Sequence, residues 1–191
     1  MFLLLMGLLL FMLLHLLPAT APAARARLIA QLGLGAYKGL FALGIVAGLV
    51  LIVLGWQAMT PLALWNPPYG LRHLTILLMW PAAVLVVAGN LPANPIRAKL
   101  GHPMLMGVGT WALAHLLANG ELRSLLLFGA FAIWSFVAIR AIKRRAGGLP
   151  PAVQTAHPLR AMAVVIIAGT VLWLALIWAH PWFTGRPVIA I

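Results

Sequence analysis

Six runs of 16 to 21 residues, nearly free of charge, leave this chain few ways to fold. They extend from Phe2 to Leu17, Gly39 to Met59, Leu71 to Gly89, Pro103 to Ala118, Leu122 to Ile142 and Ala161 to Ala179. A helix needs about 20 such residues to cross the hydrocarbon of a bilayer, so the first and fourth runs are short. In lipid there is no water to bond the backbone, and each run must satisfy its amides internally, as a helix. The short alternating segments of an outer-membrane barrel are absent. The pattern predicts an all-α, polytopic integral membrane bundle of about six transmembrane helices. It predicts a single domain over residues 1–191, with the lipid bilayer as its solvent.

Composition excludes the main alternatives. Only 7% of the residues are charged, against about 25% in a soluble domain. The net charge of +12 could suggest nucleic acid. The basic residues, however, lie between the apolar runs rather than on an aromatic-interleaved face, so no nucleic-acid partner is expected. The chain has no cysteine, which excludes disulfides, thiolate haem ligands and iron–sulfur clusters. A single carboxylate side chain, Glu121, cannot build a calcium or di-iron site. No acidic residue lies deep in a run, which makes a transporter the weakest functional candidate.

Prolines 18, 61, 67, 68, 92, 95, 150 and 151 punctuate the connections, and Pro81 is expected to kink the third helix. Ala19-Thr20-Ala21 resembles a signal-peptidase site, but no Lys or Arg precedes Arg25, and signal peptides begin basic. The first run therefore reads as a retained helix. The connections after the first, third and fifth runs carry ten basic residues: Arg25, Arg27, Lys38, Arg97, Lys99, Arg140, Lys143, Arg144, Arg145 and Arg160. The opposite side carries three: Arg72, Arg123 and Arg186. The positive-inside rule places the ten in the cytoplasm and both termini outside it. Lys143-Arg144-Arg145 reads first as a topology signal and second as a site for phosphate or anionic lipid.

Histidine in a membrane span is costly enough to suggest function. His15 is the one strongly polar side chain of the first run, and His115 lies well inside the fourth. Trp111, His115 and Asn119 recur every four residues and share a helix face. His102 precedes Pro103, which favours a helix start. His102 and His115 are separated by thirteen residues, about 20 Å along an axis and about 140° around it, so they cannot grip one ion. Depth in the bilayer pairs His15 with His102, and His73 with His115. His157 and His180, each before a proline, read as interfacial caps. Imidazole suits haem iron in a helical bundle; a histidine near a helix end is as readily an interfacial hydrogen-bonding residue. Glu121 follows the helix-end signal Asn119-Gly120. It either neutralises an arginine on its side or orients a histidine such as His73. Gly44, Gly48 and Gly55 read as a helix-packing face, and Gly107 and Gly109 as a small face admitting a neighbour or a flat ligand.

Four segments together carry a resemblance: GLLLFMLLHLLPA, RARLIAQLGLGAYKGLFALGIVAGLVLIVLGW, PYGLRHLTILLMWPA and GHPMLMGVGTWALAHLLANGELRSLLLFGAFAIW. Over roughly residues 7–134 the chain resembles the NnrU family, with 135–191 supplying the last helices and tail. The family is associated genetically with nitrite and nitric oxide reduction in denitrifying bacteria, which implies a bacterial inner-membrane location. It is similar to the plastid 15-cis-zeta-carotene isomerase, a membrane protein that uses haem b. That resemblance implies haem b here, with His15 and His115 matching the two iron ligands and His102 a further histidine. His73 stays a cofactor candidate through the depth pairing. Trp111, Asn119 and Glu121 are expected around the ligands. The isomerase's cysteine near the second ligand has no counterpart, so no switch to a thiolate ligand is possible. The resemblance implies a redox-dependent enzyme acting on a hydrophobic small molecule, or a sensor. A non-catalytic assembly factor for nitrite or nitric oxide reduction is the alternative. Neither substrate nor oligomeric state is legible.

Overall fold

The structure is a computed structural model that describes residues 1–146, 156–185 and 188. Arg186, Pro150 and Pro151, used above for charge and punctuation, lie outside the described residues. The helices are α1 (Phe2–Thr20), α2 (Pro22–Leu32), α3 (Leu34–Ala58), α4 (Gly70–Asn90), α5 (Pro95–Leu100), α6 (Pro103–Ala118), α7 (Leu122–Ala146) and α8 (Pro158–Thr184). Five of them (α1, α3, α4, α7 and α8) are long and apolar enough to cross a membrane, and α6 is a shorter apolar helix of 16 residues. The chain is a multi-pass membrane protein built as a helix bundle. Its surface agrees with that solvent. Leu13, Leu43, Leu77, Ile133 and Ile167 are each about two-thirds exposed, a cost in water that lipid removes.

A helix forms over every predicted run, the fourth of them shorter than the five that can cross, and two connections hold more structure than expected. Both α2 and α5 begin with proline at the first helical position, where the missing N–H has no helical partner to lose. Asn94 caps α5, its side-chain oxygen accepting from the Arg97 amide at 2.9 Å. Its amide nitrogen donates to the Ala88 and Pro92 carbonyls. Pro18 does not end the first helix as expected; α1 continues through it to Thr20 and breaks at Ala21. Helix α8 likewise runs through Pro181. Each proline forfeits one backbone bond, a loss that neighbouring groups offset in membrane helices.

The chain divides into two compact units, Met1–Leu62 and Ala63–Ile191. In the first, α1 packs on α3 through glycine. A methyl at Gly7 would come within 2.7 Å of the Gly48 carbonyl, and one at Gly55 would strike the Leu3–Leu4 backbone. The Gly44-Gly48-Gly55 face is thus the seam against α1. Gly33, at φ 79°, makes the left-handed turn between α2 and α3.

In the second unit α4 is the hub, packed on α6 and α8. Gly107 brings α6 against the Ala82 carbonyl, where a Cβ would sit 2.7 Å away, and Gly169 brings α8 equally close to Val84. Gly109 faces Ser135 of α7. Neighbouring helices therefore fill the small face of α6 at both glycines. Two bonds between helices pin the seams: Thr75 Oγ1 donates to the Ala114 carbonyl at 2.8 Å, and Trp80 Nε1 donates to Thr170 Oγ1 at 2.9 Å. The 63–65 segment lies across the α6–α7 turn, the Leu64 and Trp65 amides donating to the Gly120 carbonyl. Gly120 abuts the Trp65 carbonyl so closely that a side chain there has no room.

Candidate functional site

His15 and His115 share one local device. On α1, His15 Nδ1 lies 2.9 Å from the Phe11 carbonyl; on α6, His115 Nδ1 lies 2.9 Å from the Trp111 carbonyl. A carbonyl can only accept, so in each ring Nδ1 carries the proton. In the neutral ring the lone pair is then on Nε2, the nitrogen directed away from the helix backbone. This is the tautomer that binds a metal through Nε2, with the second nitrogen fixed by a backbone carbonyl. The four-residue spacing that aligns a side chain with the preceding turn sets both bonds.

Each histidine also has an aromatic setting within its own unit. His15 is half-buried, its ring centroid 4.1 Å from Phe11 and 5.8 Å from Phe41 of α3. Phe41 leans on Tyr37, and the Arg25 guanidinium sits 5.5 Å above the Tyr37 ring. Tyr37 is buried, and its hydroxyl has no hydrogen-bond partner among the described residues. His115 stacks on Phe128 of α7 with centroids 4.6 Å apart and planes at 28°. Trp111 lies edge-on to Phe128 and Phe131. Phe128, Phe131 and Trp134 are buried, and Phe128 gives His115 an apolar wall on one face.

Trp111 and Asn119 both touch the backbone or ring of His115: Trp111 through its carbonyl, Asn119 by donating Nδ2 to the His115 carbonyl at 2.8 Å. Glu121 accepts from Arg123 Nε at 2.7 Å, a largely buried ion pair that neutralises an arginine on its own side of the bundle. His73 is exposed and rests edge-on against Tyr69. It lies two residues from Thr75, about 200° around α4 from the side chain that reaches α6. The face of α4 turned to α6 is thus the threonine's and not the histidine's.

His102 is the N-cap of α6, as its proline predicted. Its Nε2 is buried, with no hydrogen-bond partner among the described residues. Burial, then the charges of Lys143 and Arg97, hold its pKa below the ordinary histidine value. His157 caps α8 as expected. His180 does not cap a helix: it lies inside α8, half-buried, with Nδ1 3.1 Å from Thr184 Oγ1. The Thr184 hydroxyl spends its proton on the His180 carbonyl at 2.9 Å, so Nδ1 is the donor here as well. The His-x-x-x-Thr spacing was the available signal, and the proline after it masked the signal. Among the described residues no three His, Cys, Asp or Glu side chains cluster as a metal site. The His15 and His115 rings each carry a lone pair on Nε2 and lie against an aromatic side chain.

A family model described as NnrU protein matches residues 3–188, nearly the whole chain. No curated protein and no solved structure matches.

Proposed function

The chain belongs to the NnrU family, and from that premise we propose that it is a haem-b-binding, redox-responsive membrane protein acting on a hydrophobic small molecule. One observation carries the proposal. His15 and His115 each commit Nδ1 to the carbonyl four residues back and so present Nε2 as a lone-pair donor. Haem, when bound, would supply an iron centre whose oxidation state alters its affinity for ligands and its electron density. The protein's own groups hold the imidazoles in place, with Phe128 fixing the His115 ring plane. Titration of haemin into the detergent-purified protein, followed by visible absorption, tests this. A saturable low-spin spectrum is expected; the featureless spectrum of haem dissolved in micelles counts against it.

We also assign the protein to a bacterial inner membrane with both termini outside the cytoplasm. Ten basic residues against three support that orientation. A reporter enzyme active only outside the cytoplasm, fused after Ile191, is expected to be active; an inactive fusion reverses the topology.

A further inference from the structure

The end of α7 remote from Glu121 carries charge that no acidic side chain of this sequence can reach. Glu121 is the only carboxylate side chain in the sequence, and it is engaged with Arg123. It precedes Lys143 by 22 residues, about 33 Å along a helix, beyond any side chain's reach. Arg140, Lys143 and Arg144, all exposed, therefore have no carboxylate side chain of their own chain to pair with.

These cations are not scattered. A groove of about 390 Å³ is lined by Phe136, Ile139, Arg140, Lys143 and Arg144. The spacing of three and four makes them one stripe along α7, apolar toward the middle of the helix and basic toward its end. Phe136 is 58% exposed, and the Arg140 guanidinium packs 5.3 Å over its ring. The stripe thus changes from oily to cationic over about two helical turns, the profile of the boundary between acyl chains and headgroups.

We propose that this stripe binds an anionic glycerophospholipid, an acyl chain lying on Phe136 and Ile139 and the phosphate held by Arg140, Lys143 and Arg144. The charge supplies the choice of headgroup, and the groove supplies the choice of a lipid over a free anion. His102, which feels the positive charge of Lys143 and Arg97, marks the same end of the unit as strongly electropositive.

The test is native mass spectrometry of the full chain in dodecyl maltoside, titrated with dioleoyl phosphatidylglycerol, dioleoyl phosphatidylcholine or inorganic phosphate. The wild type is expected to retain phosphatidylglycerol at least tenfold better than phosphatidylcholine, since each cation near an anionic surface is worth about fivefold. The R140Q/K143Q/R144Q variant is expected to lose that preference. Because those cations also signal topology, I139W is the second variant. It keeps every charge, fills the groove, and is expected to weaken phosphatidylglycerol binding severalfold. Equal retention of the two lipids by the wild type overturns the proposal. So does unchanged phosphatidylglycerol binding in I139W, or its displacement by millimolar phosphate, which identifies a simple anion site.

Discussion

Thr75 of α4 shares its single hydroxyl proton between the Leu71 carbonyl of its own helix, at 2.9 Å, and the Ala114 carbonyl of α6, at 2.8 Å. The second bond crosses the α4–α6 seam one residue before His115. It ties the depth and rotation of that histidine to the hub helix of its unit. Thr75→Val keeps the shape and removes the bond. Bonds of this kind between membrane helices are worth about 0.6 kcal/mol on average and about 1.7 at most. A loss within that range is expected in denaturation of the micelle-solubilised protein, and an unchanged midpoint would show that the bond contributes nothing.

Gly55→Ala should damage the first unit where Gly39→Ala does not. The added methyl at Gly55 meets the Leu3–Leu4 backbone, which has no rotamer with which to yield, whereas at Gly39 nothing lies within 4 Å. Overpacking of this kind costs about 1–3 kcal/mol. Thermal melts of the two variants side by side give the comparison; equal melting temperatures would contradict a glycine-dependent seam.

His102 makes stability depend on pH. Its folded-state pKa is lowered from 6.5, chiefly by burial and then by Lys143 and Arg97. As pH falls below about 6.5, the unfolded chain takes up a proton that the folded chain resists. The contribution is therefore fully present above that pH and is lost as pH falls through the lowered folded-state pKa. His102→Gln should flatten the melting-temperature profile between pH 7 and pH 5; an unaltered slope would assign the dependence to other groups.

Much of this was legible in the sequence because lipid simplifies the problem. Uncharged runs near twenty residues have one backbone solution, so the spans were readable, as was His102 as a helix start before Pro103. Pro18 and Pro181 were misleading, since the rule that proline ends helices is weaker in membrane helices, where neighbours re-satisfy the freed groups. The short helices α2 and α5 were missed because too few residues carry a periodic signal. Residue types did not disclose which way each histidine turns. His15 and His115 could be placed on helices by spacing, but the bond to the preceding turn that fixes their tautomer depends on the rotamer each ring adopts in the folded helix. His73 appeared equivalent to them by depth, yet it rests exposed on Tyr69 while Thr75 occupies the inner face. His180 looked like a cap because the residue after it is a proline.

Reduced-minus-oxidised visible spectra of the haem-loaded protein, taken for the wild type and for each of H15A, H73A, H102A and H115A, put the ligation proposal at risk. The expected result is a low-spin α-band in the wild type, H73A and H102A, and its loss in H15A and H115A. A band that survives in both H15A and H115A, or that disappears in H73A, would contradict it.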